Sequence, residues 1–196
     1  RKLISEKSGL KNQLEPYGIQ LKQNDKVVLI TAHRRENFGE GIQNICNAVE
    51  HLANNHSNLH FIWPVHLNPA VHDVVHNKFK DHPQIHLVKP LDYPSLLAVI
   101  DRSTFILTDS GGLQEESPSF NKPVLILRDT TERPEVVEVG AGVLVGTDQQ
   151  KIIEEAEKLL TDQQHYEKMA HVENPFGDGQ AARRILDQIA KSYELA

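Results

Sequence analysis

The stretch Phe105-Ile-Leu-Thr-Asp-Ser-Gly-Gly-Leu-Gln-Glu-Glu-Ser117 passes from an apolar, β-branched run through a corner with paired glycines into an acidic, helix-forming run. Strand, tight turn and helix in that order make one unit of a parallel sheet, in which the helix returns the chain to the start of the next strand. The same alternation repeats along the chain. Lys26-Val-Val-Leu-Ile-Thr31, Leu59-His-Phe-Ile-Trp63, Gln84-Ile-His-Leu-Val88, Thr104-Phe-Ile-Leu-Thr108, Pro123-Val-Leu-Ile-Leu127 and Gly142-Val-Leu-Val145 are short β-branched or aromatic runs bounded by turn residues. Between them, Ile42, Ile45, Cys46, Val49, Leu52 and Ala53 recur at helical spacing, as do Val71, Val74 and Val75, and Ile152, Ile153, Ala156, Leu159 and Leu160. Strands that are almost continuously apolar must be covered on both faces. The expected fold is therefore α/β, a doubly wound parallel sheet of Rossmann-like type over residues 26–177. Residues 1–25 are polar with little periodicity, and residues 178–196 read as a C-terminal helix with Ile185, Leu186 and Ile189 on one side.

The chain has 196 residues and 39% apolar content, enough for one domain with a real core. Net charge is -6, with lysines and arginines interspersed among the acids, so no basic stripe is available to neutralise a phosphate backbone. Nucleic acid is not an expected partner. A single cysteine, Cys46, excludes an internal disulfide, and no apolar run approaches the roughly 20 residues that span a bilayer. The expected location is cytoplasmic, away from membranes. The chain starts at Arg1 without a methionine or a signal-like segment, which suggests a piece of a longer protein.

Open parallel sheets bind ligands beyond the carboxyl ends of their strands, where the following helices begin. Ser110-Gly111-Gly112 stands at such a point. Glycines let the backbone approach a ligand closely, Ser110 can cap the helix or offer its hydroxyl, and Glu116 falls about one turn into the helix, where a carboxylate can accept from a diol such as ribose. This suits a nucleotide diphosphate, although a tight, well-capped strand-to-helix turn would have the same composition. A second corner follows the first strand, where His33, Arg34 and Arg35 bring cations and a titratable imidazole, and Asn37 and Gly39 make the turn. Either arginine could equally serve to pair with neighbouring acids. A third, Arg128-Asp-Thr-Thr-Glu-Arg-Pro-Glu135, again follows a strand and carries Pro134 at a plausible first helical position. His72-Asp-Val-Val-His76 approaches a zinc-binding pattern, but its acid is Asp where that pattern requires Glu, and no third ligand is evident, so no metal is expected.

Residues 31–41 (TAHRRENFGEG), 63–71 (WPVHLNPAV), 107–135 (LTDSGGLQEESPSFNKPVLILRDTTERPE) and 174–181 (NPFGDGQA) resemble, in order and spacing, the C-terminal half of the bacterial non-hydrolysing UDP-N-acetylglucosamine 2-epimerases. The resemblance runs from about Lys26 to about Ile189. It implies half of a glycosyltransferase-B-like two-domain fold, with residues 1–25 as a linker or leading helical segment from a preceding half that carries the acid–base carboxylates. It also implies roles: Ser110, Gly111 and Gly112 on the diphosphate, Glu116 on the ribose, and Arg133 and His33 on the phosphates and the sugar side. His66 and Arg34 match a site that in some members binds a second, activating UDP-N-acetylglucosamine. Leu96 stands where relatives place a phenylalanine against uracil, so stacking would be weaker or supplied by Tyr93.

The reaction the resemblance implies interconverts UDP-N-acetylglucosamine and UDP-N-acetylmannosamine for cell-surface polysaccharide synthesis, by eliminating UDP to leave a glycal and adding it back on the opposite face. No cofactor is implied, and no Gly-x-Gly-x-x-Gly is present. The full-length protein would be a homodimer. A glycosyltransferase of the same fold, a hydrolysing 2-epimerase and a nucleotide-sugar sensor without chemistry remain alternatives.

Overall fold

The computed structural model describes residues 17–193. Six strands, β1 (Lys26–Thr31), β2 (Leu59–Pro64), β3 (Ile85–Val88), β4 (Phe105–Thr108), β5 (Val124–Ile126) and β6 (Gly142–Leu144), form one sheet in the order β3-β2-β1-β4-β5-β6. Every neighbouring pair is parallel. β1 lies at the centre, with Val28 paired to Phe61 on one side and Phe105 on the other. The chain winds outward from β1 through β2 to β3, then crosses back and winds the other way from β4. The connections leaving β1 and β4 therefore diverge, which opens a crevice above their carboxyl ends.

Helices α1 (Glu40–Asn55), α2 (Pro69–Phe79), α3 (Tyr93–Arg102), α4 (Gly111–Glu116), α5 (Pro134–Glu138), α6 (Gln149–Thr161), α7 (Gln163–Ala170) and α8 (Ala181–Ser192) follow. The apolar stripe of α1, Ile42, Ile45, Cys46, Val49, Leu52 and Ala53, is wholly buried. It packs with Val71, Val75 and Phe79 of α2 and Ile152 and Ala156 of α6 against Val28, Ile30, Phe61 and Trp63 on one face of the sheet. Burial there pushes the Cys46 thiol up to about 12, so it behaves as a small apolar residue. Val27, Leu29, Ile62 and Ile106 point to the other face, against Leu97, Val99 and Ile100 of α3, Leu113 of α4 and Phe120. α5 seals the β5–β6 end through Val136. Doubly wound packing is thus present on both faces, as the near-continuous apolar strands require.

Two expectations for the chain ends have different outcomes. Residues 1–16 of the leading segment lie outside the described residues, while Ile19 packs into the second face of the core ahead of β1. α8 is helical as expected, but none of its residues is buried, and Ile185, Leu186 and Ile189 face solvent among the described residues.

His60 and His86 stand side by side on β2 and β3, with His60 Nδ1 and His86 Nε2 3.0 Å apart and His60 Nε2 3.5 Å from Asp25 Oδ2. Burial, reinforced by His60 and then His82, pushes His86 down to about 4 from the ordinary 6.5. Between those values the unfolded chain binds a proton that the native protein refuses, so stability is full above about pH 6.5 and declines as pH falls toward 4. The urea midpoint should drop between pH 7 and 5, and His86→Leu should make that drop shallower. An identical pH profile for both proteins would contradict the assignment.

Candidate functional site

The loop leaving β1 is held from below by one buried carboxylate. Asp109, immediately after β4, is fully buried, and its Oδ2 accepts from the backbone N–H groups of His33 and Arg34 at 2.7 Å each and from Asn37 Nδ2 at 3.1 Å. Asn37 sits in a short 3-10 turn (Arg35–Asn37) and also donates to the Leu127 carbonyl at 3.1 Å, tying the exits of β1, β4 and β5 together. Gly39 has φ 75° at the α1 N-cap, a conformation that favours glycine, and so completes the turn. Asp109 Oδ1 faces His33 Nδ1 at 3.2 Å. The His33 ring is stacked on His66, with centroids 5.5 Å apart and planes 14° apart. His66 Nδ1 in turn accepts from the Asn68 N–H at 3.1 Å. The two histidines assigned to separate roles by resemblance therefore form one partly exposed patch. Arg34 reaches Glu132 only at 3.9 Å, an exposed pair of little energetic weight.

The second corner follows β4. Ser110 occupies the N-cap position of α4, yet its side chain makes no capping bond, so the cap its residue type suggests is not made. Neither Gly111 nor Gly112 has a positive φ. A Cβ on Gly111 would meet nothing within 4 Å, and one on Gly112 only Ser110 Oγ at 3.8 Å. Neither backbone conformation nor packing among the described residues demands glycine here. What the two glycines leave is open access to the backbone. Glu116, at the far end of α4, accepts from the Tyr93 hydroxyl at 3.2 Å. Loss of hydration first, and the Glu116 charge second, push the Tyr93 phenol above its ordinary range. Leu96, one turn along α3, is only partly buried and packs against the second core. Tyr93 is the more accessible of the two, with 54% of its surface in water.

The third corner is joined to the second by a chain of hydrogen bonds. Gln114, fully buried in α4, donates to the Ser110 carbonyl and accepts from the Thr131 hydroxyl, which accepts from the Arg133 N–H at 3.0 Å. The Arg133 side chain, at the start of α5, pairs with Glu115. Arg128, nine-tenths buried at the exit of β5, donates Nε to Glu36 at 2.8 Å and Nη1 to Glu132. The Glu132 hydrogen bond, more than Glu36, raises its pKa above the ordinary arginine range. A polar cleft of about 450 Å³ opens one step along the sheet edge, lined by Asn44, Arg128, Asp129, Gly146, Thr147 and Lys151. Ser110, Gly111 and Gly112 do not line it. The His72 and His76 rings lie tilted at 30° with centroids 4.1 Å apart, but no group of three or more metal-ligating side chains occurs among the described residues.

Asp109, Gln114, Glu115, Arg128 and Thr131 were not singled out from the sequence, although each but Arg128 holds a residue that was. Asp109 alone carried a local signal, as the polar residue between strand and glycines.

The geometry defines a class: a doubly wound α/β unit with glycine and cationic corners gathered at its switch point, where such folds hold phosphorylated ligands. Residues 2–190 match the family model described as UDP-N-acetylglucosamine 2-epimerase. The Bacillus subtilis (strain 168) UDP-N-acetylglucosamine 2-epimerase is 48% identical over 169 residues, covering 86% of this chain and 44% of its own length. Among solved structures, the UDP co-structure of S. aureus MnaA superposes with a TM-score of 0.85 at 42% identity, over 94% of this chain and 49% of that one. The Neisseria meningitidis UDP-GlcNAc 2-epimerase bound to UDP-GlcNAc gives 0.83 at 43% identity, over 93% and 52%. The chain belongs to the UDP-N-acetylglucosamine 2-epimerase family and has the expected fold of half a glycosyltransferase-B-like enzyme. It spans less than half the length of the curated B. subtilis relative.

Asn37→Ala would strip a hydrogen bond from the buried Leu127 carbonyl and another from the Asp109 carboxylate. It should cost about 1–3 kcal/mol, measured by urea unfolding followed through the fluorescence of Trp63, the chain's one tryptophan and fully buried. A loss within error of zero would show that the turn is held some other way.

Proposed function

We propose that this chain is the UDP-binding half of an enzyme interconverting UDP-N-acetylglucosamine and UDP-N-acetylmannosamine, by elimination and re-addition of UDP without net hydrolysis. The observation that carries the reading is the glycine pair at 111–112: the fold has no need of it, and it lies in the corner joined through Gln114 and Thr131 to the backbone of Arg133. The backbone N–H groups of Gly111 and Gly112, the Ser110 hydroxyl and the Arg133 guanidinium bind the diphosphate, Glu116 accepts from the ribose, and the Tyr93–Leu96 segment lies against the base. Arg133 is held by Glu115 until phosphate competes for it. His33 stands on the sugar side, and the His66–Arg34 patch beside it takes a second sugar nucleotide as effector. Stabilising the charge of departing UDP is this half's share of catalysis. Family membership supports the reading, together with the UDP and UDP-GlcNAc that the two solved relatives hold. The full-length protein acts as a cytoplasmic homodimer and needs no cofactor. No helix among the described residues is long and apolar enough to cross a membrane.

Calorimetry with UDP tests the site. Glu116→Ala should weaken binding about tenfold to a hundredfold, the worth of one charge-assisted hydrogen bond, and unchanged affinity would remove Glu116 from the ribose. Proton NMR of UDP-N-acetylglucosamine with the full-length protein in deuterated water tests the reaction. Deuterium at C2 together with UDP-N-acetylmannosamine is expected. Free N-acetylmannosamine would make it a hydrolase, and no exchange at all would leave a sensor.

A further inference from the structure

We infer that Asp109 is a positioning residue that fixes the tautomer of His33, keeping the proton on Nδ1 and leaving Nε2 free to exchange a proton with the bound sugar nucleotide. The tautomer follows from this chain's geometry alone; the use made of Nε2 rests on the epimerase reading above.

Asp109 has no exposed surface, and its Oδ2 already accepts three N–H groups. Oδ1 is also buried and makes no hydrogen bond among the described residues. Its ion-pair partner is the His33 ring, with Nδ1 at 3.2 Å. No lysine or arginine pairs with Asp109 among the described residues. A carboxylate can only accept, and a buried one left with an unsatisfied oxygen is costly, so Nδ1 must be the nitrogen that carries hydrogen. The ring cannot readily swing away, because its face is stacked on His66. His66 is itself oriented by the Asn68 N–H on its Nδ1. With 40% of the His33 side chain in water, Nε2 makes no hydrogen bond among the described residues. A histidine whose inner nitrogen is held by a buried carboxylate presents a defined outer nitrogen, and the same carboxylate offsets the charge when that nitrogen takes a proton.

The same three donors make the decisive variant isosteric. In Asp109→Asn the amide oxygen must stay where the N–H groups of His33, Arg34 and Asn37 converge, so the amide nitrogen replaces Oδ1 and donates to His33 Nδ1. That forces the proton to Nε2.

Long-range proton–nitrogen correlation spectra of the nitrogen-15-labelled 196-residue chain near pH 9, without ligand, read the tautomer directly, with the His33 signals assigned by their loss in His33→Gln. The wild-type chain should show a protonated Nδ1 and a bare Nε2, and Asp109→Asn the reverse. A wild-type His33 protonated on Nε2, or exchanging evenly between forms, would overturn the inference even if the variant failed to fold. So would a variant spectrum unchanged from wild type. In the full-length protein Asp109→Asn should lower kcat about a hundredfold to ten-thousandfold, with KM changed by less than about threefold, since the groups proposed to bind UDP are untouched. An unchanged kcat would leave the tautomer without a catalytic use. An inactive wild-type protein would overturn the epimerase reading while leaving the tautomer result standing.

Discussion

A carboxylate taken wholly out of water must collect its hydrogen bonds from the protein around it, and the site depends on how Asp109 does so. It is the first residue beyond β4, and every donor it uses lies in the loop beyond β1. Those two strands are neighbours at the point where the strand order reverses. A loop that the topology would merely allow to diverge is therefore pinned, and Asn37 extends the connection to the exit of β5. Three separate polar corners become one surface. The remaining links are of the same kind: Thr108 receives the Ser110 N–H, and Gln114 and Thr131 carry the connection to Arg133.

This arrangement divides labour between rigid and adaptable parts. The buried polar residues Asp109, Gln114 and Asn37 have partners on several elements, which suits holding a geometry. The side chains proposed to meet ligand, His33, Arg133, Glu116 and Tyr93, are partly or largely exposed, and the last three are occupied by an ion pair or hydrogen bond that a ligand can replace. Glu115 on Arg133 and Tyr93 on Glu116 are exchangeable partners of that sort. Exposed pairs are weak, so phosphate and ribose hydroxyls can compete with them at modest cost.

The sheet was legible because strands buried on both faces are nearly continuous apolar runs, and the α1 and α6 faces because helical spacing survives in the sequence. Strand limits moved by a residue or so: Pro64 extends β2, while Gln84, Thr104, Pro123, Leu127 and Val145 fall outside the ladder. Ile185, Leu186 and Ile189 show where periodicity stops being informative. It identifies α8 as amphipathic, but burial depends on what packs against it, and none of its residues is buried among the described residues. The glycine, histidine and arginine corners stood out by residue type and place. Gln114 and Thr131 did not, and Asp109 was marked only by its place between strand and glycines, because an aspartate or glutamine in a polar stretch reads as surface. Their burial is created by partners far along the chain, with Asp109 meeting Asn37 across 72 positions and Gln114 meeting Thr131 across 17. Ser110 marks the opposite error, since a good capping residue at the N-cap position leaves the cap unmade.

The function proposed for this chain requires that a nucleoside diphosphate bind at the glycine corner after β4. Titrating the nitrogen-15-labelled chain with UDP and following its backbone amides tests this most directly. Saturable shifts should concentrate at Gly111 and Gly112 and extend to Glu116 and Arg133. Shifts centred instead on Gly146, Thr147 and Lys151, with Gly111 and Gly112 unmoved, would place the ligand in the neighbouring cleft and contradict it.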